Sequence, residues 1–195
     1  MTAGLARAAE VLAVGGIVCF PTESSYGLAA RIDRPDALAA LSRLKQRAEG
    51  SPFGLVAAGL EQARAVASAF PERAAELARA HWPGPLTLVV PAREGLPREL
   101  VLHGAVGVRV PGLAVARELA RLAGVAITAT SANPRGEPAA LSVAQAQAYF
   151  GETVQGYVDG GIAQDVPPST LAAVDIDGRV RVLRRGAIVI QECLP

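Results

Sequence analysis

Lysine is nearly missing from this chain: Lys45, in SRLKQR, stands alone among 19 basic side chains, and the rest are arginine. Asparagine is as scarce, with Asn133 of TSANPRG its single instance. In a composition that has moved so far toward guanidinium, a retained compact ammonium marks a position whose chemistry arginine does not serve, although chance at a solvated helix end accounts for one lysine equally well. Aromatic residues make up 4%, which argues against recognition by aromatic stacking. The two cysteines, Cys19 and Cys193, lie near opposite ends with no CxxC, so neither a zinc site nor a disulfide framework is indicated, and the expectation is idle thiols in a reducing cytoplasm. Charge of either sign is not in excess: 19 Lys and Arg against 18 Asp and Glu give +1, with no global pull toward nucleic acid or anionic lipid. Long apolar runs are also lacking. MTAGLARAAEVLAVGGIVCF is broken by Arg7 and Glu10, far short of the roughly 20 residues that span a bilayer, so no membrane partner is expected.

What is present reads as one domain over residues 1–195, a mixed α/β fold in which alanine-rich helices flank buried strands. Apolar spacing over 3–13 predicts a helix that Gly15-Gly16 stops before the strand IVCF at 17–20. Pro21 closes that strand, TESS turns, and 26–32 is extended again. Pro35 opens a helix with Leu38, Leu41 and Leu44 on one face, leaving Lys45 and Arg47 at its end or just beyond. Strands follow at 53–58, 86–91, 106–110 and 125–130, with helices at 61–68, 71–80, 113–123 and 142–149. The last third holds short extended runs at 157–159, 170–176 and 179–184, the last two joined by a hairpin turn at Asp177-Gly178.

Four polar clusters interrupt the apolar strand ends: PTESSYG, KQRAEGSPFG, TSANPRGEP, and PPST with LRRG. Each alone is ordinary turn chemistry. Together, outside the strand ends of an open sheet, their hydroxyls, amide and cations form a candidate anion-binding cavity. No GxxxxGK[ST], GxGxxG, GxSxG or HExxH occurs, and His81 and His103 have no partners in sequence, which disfavours P-loop, Rossmann, serine-hydrolase and histidine-ligated metal chemistry. The remaining equipment is Lys45, Arg47, Arg109 and Arg184 with Thr22, Ser131 and Asn133. It suits phosphoryl or nucleotidyl transfer, where positioning and charge neutralisation carry the catalysis.

PTESSYGLAA, KQR, WPGPLTLVV, VRVP, TSANPRGEP, STLAAVD and LRRG, in that order from about residue 6 to 187, resemble the threonylcarbamoyl-AMP synthase family, also called YrdC or TsaC/Sua5. The resemblance implies a YrdC-like twisted, largely open mixed sheet with flanking helices around a positively charged cavity. It implies a cytoplasmic nucleotidyltransferase that joins L-threonine, bicarbonate or CO₂ and ATP into threonylcarbamoyl-AMP and pyrophosphate, for the t6A modification of tRNA. By the same resemblance Lys45 and Arg47 would act catalytically on the ATP phosphates, and Thr87, Ser131, Asn133 and Arg184 would complete the ATP site. Thr22, Tyr26, Arg109 and Ser169 would surround threonine. Mg²⁺ would arrive with ATP and without dedicated protein ligands, Glu23 being either close to the metal or an arginine's partner.

The chain departs from the commonest family pattern at Ala48, where a proline often follows KxR, at Val56, where many members carry a histidine facing threonine, and at Arg185, in place of the proline of LRPG. Ending soon after LRRG, it is expected to be the short form, working beside separate proteins that transfer threonylcarbamoyl to tRNA. A second reading is a non-catalytic module of the same fold that binds double-stranded RNA or tRNA through the cavity cations. A third is a carbamoyl-transfer accessory domain.

Overall fold

Alternating apolar segments and polar turns build nine strands and six helices among the residues that the structure, a computed structural model, describes: 2–48, 50–164 and 166–192. In chain order these are α1 (Thr2–Ala13), β1 (Val18–Pro21), β2 (Tyr26–Ala29), α2 (Pro35–Leu44), β3 (Gly54–Val56), α3 (Leu60–Arg64), α4 (Glu72–His81), β4 (Leu86–Pro91), β5 (Ala105–Arg109), α5 (Ala114–Ala123), β6 (Ile127–Ser131), α6 (Val143–Phe150), β7 (Gly156–Tyr157), β8 (Thr170–Val174) and β9 (Val180–Arg184). Cys193 lies outside the described residues. The strands form one mixed sheet ordered β7-β1-β2-β6-β3-β5-β4-β8-β9, open at both edges.

The elements follow the sequence expectations with local differences. Helix α3 stops at Arg64 rather than 68, because Ala67 bridges to Ala92 and Ser68 donates its N–H to Pro91 O, drawing that segment onto the end of β4. Two 3₁₀ turns, Arg98–Leu100 and Gly151–Thr153, carry no periodicity long enough to read from sequence. The Asp177-Gly178 turn forms as expected, with Asp175 Oδ1 accepting from the N–H groups of Asp177 and Arg179.

Period-two alternation divides the sheet into faces. Leu55, Leu88, Val90, Val106, Val108, Ala172 and Val174 join α2 and α4 residues in the larger core cluster. On the opposite face, α1 and α5 pack together over Val18, Phe20, Ala29, Val56 and Ile127. Alanines at the contact, such as Ala116, Ala120 and Ala123 of α5, let that layer sit close to the strands. The second layer stops near β3, so among the described residues no helix lies over the same face of β5, β4, β8 and β9.

The joint between the two halves of the sheet runs through Thr128. Its N–H donates to Ala30 O (2.9 Å) and its fully buried hydroxyl oxygen accepts from Ala30 N (2.8 Å), continuing β2–β6 contact past the last paired residues. Thr128→Val keeps the shape but leaves the Ala30 N–H buried without an acceptor, so it should lower unfolding stability by about 1–3 kcal/mol in urea denaturation followed by circular dichroism.

Candidate active site

A cavity of about 880 Å³ occupies the uncovered face. Its floor is the half of each strand that points away from the core: Ala129 and Ser131 of β6, Gly54 and Val56 of β3, Gly107 and Arg109 of β5, Thr87 and Val89 of β4, Leu171 and Ala173 of β8. Arg47, Arg109, Arg181 and Arg184 line it, and no aspartate or glutamate does so among the described residues. A near-neutral chain has thus collected four guanidinium groups in one concavity, where low-dielectric walls strengthen their attraction for anions.

The end of α2 delivers the first cation. Gln46 takes a left-handed φ of 46°, Arg47 N donates to Ser42 O and Gln46 N to Arg43 O, which together make a Schellman cap with glutamine where glycine is usual. The cap turns Arg47 into the cavity. There its guanidinium donates to Thr130 Oγ1 (3.2 Å) and Pro52 O (2.9 Å) and lies 4.5 Å from the Phe53 ring centroid. Burial pushes its pKa below the ordinary arginine value.

Lys45 goes elsewhere. It and Asn133 are absent from the cavity lining and meet each other behind Ser131. The ammonium gives hydrogens to Ser131 O (2.7 Å), Asn133 O (2.5 Å) and Asn133 Oδ1 (2.8 Å). Asn133 Oδ1 also accepts from Ser131 Oγ (2.6 Å), and Asn133 Nδ2 donates to Glu137 O (2.5 Å). The lone lysine and the lone asparagine therefore form one joint that sets the Ser131–Asn133 turn at the cavity edge. Burial, and then the neighbouring Arg47 charge, push the Lys45 pKa down to about 8.

The TESS turn supplies the opposite wall. Thr22 Oγ1 donates to Ser25 O (2.6 Å), and Thr22, Ser24 and Ser25 all line the cavity. Glu23 faces away and is an arginine's partner: its Oε1 accepts from Gly112 N and lies 2.5 Å from an Arg109 terminal nitrogen, while Arg109 Nε donates to Gly84 O (3.0 Å). Tyr26 borders the cavity through its main chain. Its side chain is fully buried, and the hydroxyl donates to Gly161 O (2.7 Å) and accepts from Gly160 N (3.0 Å), anchoring the loop that leads to β8. Val56 brings only its aliphatic side chain to this wall.

At the far end, Thr87 and Ser169 share a hydrogen bond (2.8 Å), and Arg184 donates to Ser169 O (3.0 Å) and Oγ (3.3 Å). A β-bulge places Arg184 here: Leu171 pairs with Arg184 and Ala172 with Val182, so Leu183 is the extra residue. Sequence reasoning missed Arg181 and His103. Simple alternation along VRVLR puts Arg181 and Arg184 on opposite faces, so expecting Arg184 in the cavity turned Arg181 outward, and only the bulge brings both to one side. His103, with φ 50° in the turn before β5, carried no signal. No group of three potential metal-ligating side chains exists among the described residues.

The family model for Sua5/YciO/YrdC, described as "Telomere recombination", matches residues 10–186. The chain belongs to the Sua5/YciO/YrdC family. Among curated members it is 39% identical to the threonylcarbamoyl-AMP synthase of Halorhodospira halophila, over 79% of this chain and 81% of that one. It is 32% identical to that of Marinobacter nauticus, over 86% and 89%. A crystal structure of Pyrococcus abyssi Sua5 complexed with L-threonine superposes with a TM-score of 0.87 at 33% identity, covering 93% of this chain but 54% of that one. This Sua5/YciO/YrdC chain thus spans little more than half the length of the P. abyssi protein.

A single lysine makes its titration directly observable. In ¹³C-lysine-labelled protein the Lys45 Cε resonance should titrate near pH 8 rather than 10.5, and Arg47→Ala, which removes a like charge and opens the site to water, should move the midpoint up.

Proposed function

We propose that this protein is an L-threonylcarbamoyladenylate synthase, forming threonylcarbamoyl-AMP and pyrophosphate from L-threonine, bicarbonate or CO₂ and ATP. The observation that carries the reading is the cavity itself: four lining arginines, one of them paired with Glu23, several hydroxyls and, among the described residues, no lining carboxylate on an open sheet face. That electrostatic character fits a polyphosphate, and relatives named threonylcarbamoyl-AMP synthase at 32–39% identity over most of the chain supply the reaction.

In this reading Arg47 and Arg184 take the ATP phosphates, with Ser131 and Thr87 donating to nucleotide oxygens. Lys45 and Asn133 act chiefly by holding the Ser131 turn in place. Thr22 and Ser169 with Arg109 surround threonine, and Tyr26 fixes the loop beside it. The threonine amine adds to bicarbonate or CO₂ to give a carbamate, with loss of water in the bicarbonate case and of a proton to solvent in the CO₂ case. A carbamate oxygen then forms a bond to the α-phosphorus as the bond to pyrophosphate breaks, the electron pair leaving with pyrophosphate. No protein nucleophile takes part; the arginines offset charge growing on the leaving group, and the cavity holds a labile carbamate against its target.

Mg²⁺ would add charge neutralisation on the phosphates. The described side chains provide no cage for it, so it would be bound through phosphate and water oxygens. No helix among the described residues is long and apolar enough to cross a membrane. We place the protein in the cytoplasm, beside separate proteins that pass threonylcarbamoyl to tRNA.

Pyrophosphate release from ATP and Mg²⁺ should require threonine and bicarbonate together, and should fall about 100-fold or more in Arg47→Ala. Silence under every substrate combination, with RNA binding that declines steeply as salt rises, would replace this reading with the RNA-binding module.

A further inference from the structure

Four glycines lie in the strands described here: Gly27 of β2, Gly54 of β3, Gly107 of β5 and Gly156 of β7. Gly27 and Gly107 sit in strand interiors, Gly54 and Gly156 open their strands, and ordering a glycine costs more chain entropy than any other residue, so each needs a reason. Two have one in the packing. A Cβ on Gly27 would come within 3.3 Å of Phe20 Cε1, and one on Gly156 within 3.1 Å of Val18 Cγ2.

Gly54 and Gly107 have no such reason. A Cβ on Gly54 would find nothing nearer than Ala129 O at 3.8 Å, and one on Gly107 would touch Thr87 Cγ2 and Val89 Cγ2 at 3.7 Å, ordinary contacts in both cases. Neither has a left-handed φ. The fold itself has room for a methyl group at each, and at each that methyl would point into the cavity.

The two positions are neighbours. Leu55 pairs with Val108, and that parallel register run back one residue sets Gly54 beside Gly107. Ala129 flanks Gly54, Val89 flanks Gly107, and Ala173 and Arg181 continue the row. The adjacent row is Val56, Arg109, Thr87, Leu171 and Arg184, which holds two of the four lining arginines and the Thr87 hydroxyl. One row therefore carries Arg109, Thr87 and Arg184, and the other, from Ala129 to Ala173 with Arg181 only at its far end, offers a bed of backbone and small apolar groups. With strands about 4.8 Å apart, the two glycines alone clear a width comparable to an aromatic ring system. Threonine, polar on three of its four Cα substituents or branches, would find no partner on that bed. A flat, uncharged ring would.

We propose that Gly54 and Gly107 are specificity-determining positions, whose missing side chains let the base of the nucleotide lie flat against the sheet while its phosphates reach the arginines. The proposal rests on the reading of the cavity as a nucleotide site. Gly54→Ala and Gly107→Ala test it by calorimetric titration with ATP, inorganic tripolyphosphate and L-threonine, alongside thermal denaturation. Both variants should keep or raise the melting temperature, since alanine restricts the unfolded chain. ATP affinity should fall about tenfold or more, with tripolyphosphate and threonine affinities unchanged.

Unchanged ATP affinity in both variants, or a loss confined to threonine, would overturn the proposal. So would a lowered melting temperature, which would mean that the fold rather than a ligand excludes the side chain. Failure of the native protein to bind either ATP or tripolyphosphate is a different result: it would refute the nucleotide reading itself.

Discussion

Three hydrogen bonds from one ammonium group tie together segments 86 and 88 residues apart in sequence. Lys45 stands at the end of α2, and its three hydrogens meet the oxygens of the turn that follows β6. That joint fixes two features at once. It holds Ser131 at the cavity edge, and it fixes the helix end from which Arg47 enters the cavity. A guanidinium is too broad and planar to place three donors on three converging oxygens, whereas a tetrahedral ammonium does so naturally. The one position in the chain that keeps lysine is also one where the shape of the cation matters.

The chain manages its charge by sorting it. Many of its acidic side chains sit on exposed helix faces beside arginines, as in Arg7–Glu10, Arg73–Glu76, Arg79–Glu72 and Arg121–Glu118, where pairs contribute little to stability. Glu23 is the exception near the cavity, and it is turned toward Arg109 and Gly112 N, clamping the TESS turn to the end of β5. Among the described residues the cavity lining holds arginines and no carboxylate, a local excess that the whole-chain charge of +1 conceals.

The fold was largely legible in the sequence because its signals are local: the Gly15-Gly16 stop after α1, the Pro35 start of α2, the apolar runs of β4 and β6, and the Asp177-Gly178 turn. Alternation along AVGVR tells which residues share a strand face, but not which face a helix layer covers, and the cavity exists because α1 and α5 cover only part of one face. Lys45 and Asn133 were picked out by rarity. Their placement behind Ser131 depended on a contact between segments that no local pattern encodes. The buried course of the Tyr26 side chain and the bulge that turns Arg184 inward were hidden for the same reason.

That bulge makes the register of β9 matter as much as its composition. The added residue at Leu183 shifts the parity of the strand, so residues before and after it can address the same side of the sheet. Taking out Leu183 alone would close the bulge and leave Arg184 opposite Leu171. Losing the bulge while keeping all five residues would instead put Leu183 opposite Leu171 and turn Arg184 from Ser169 toward the opposite side. The bulge therefore sets the reading frame of the cavity wall.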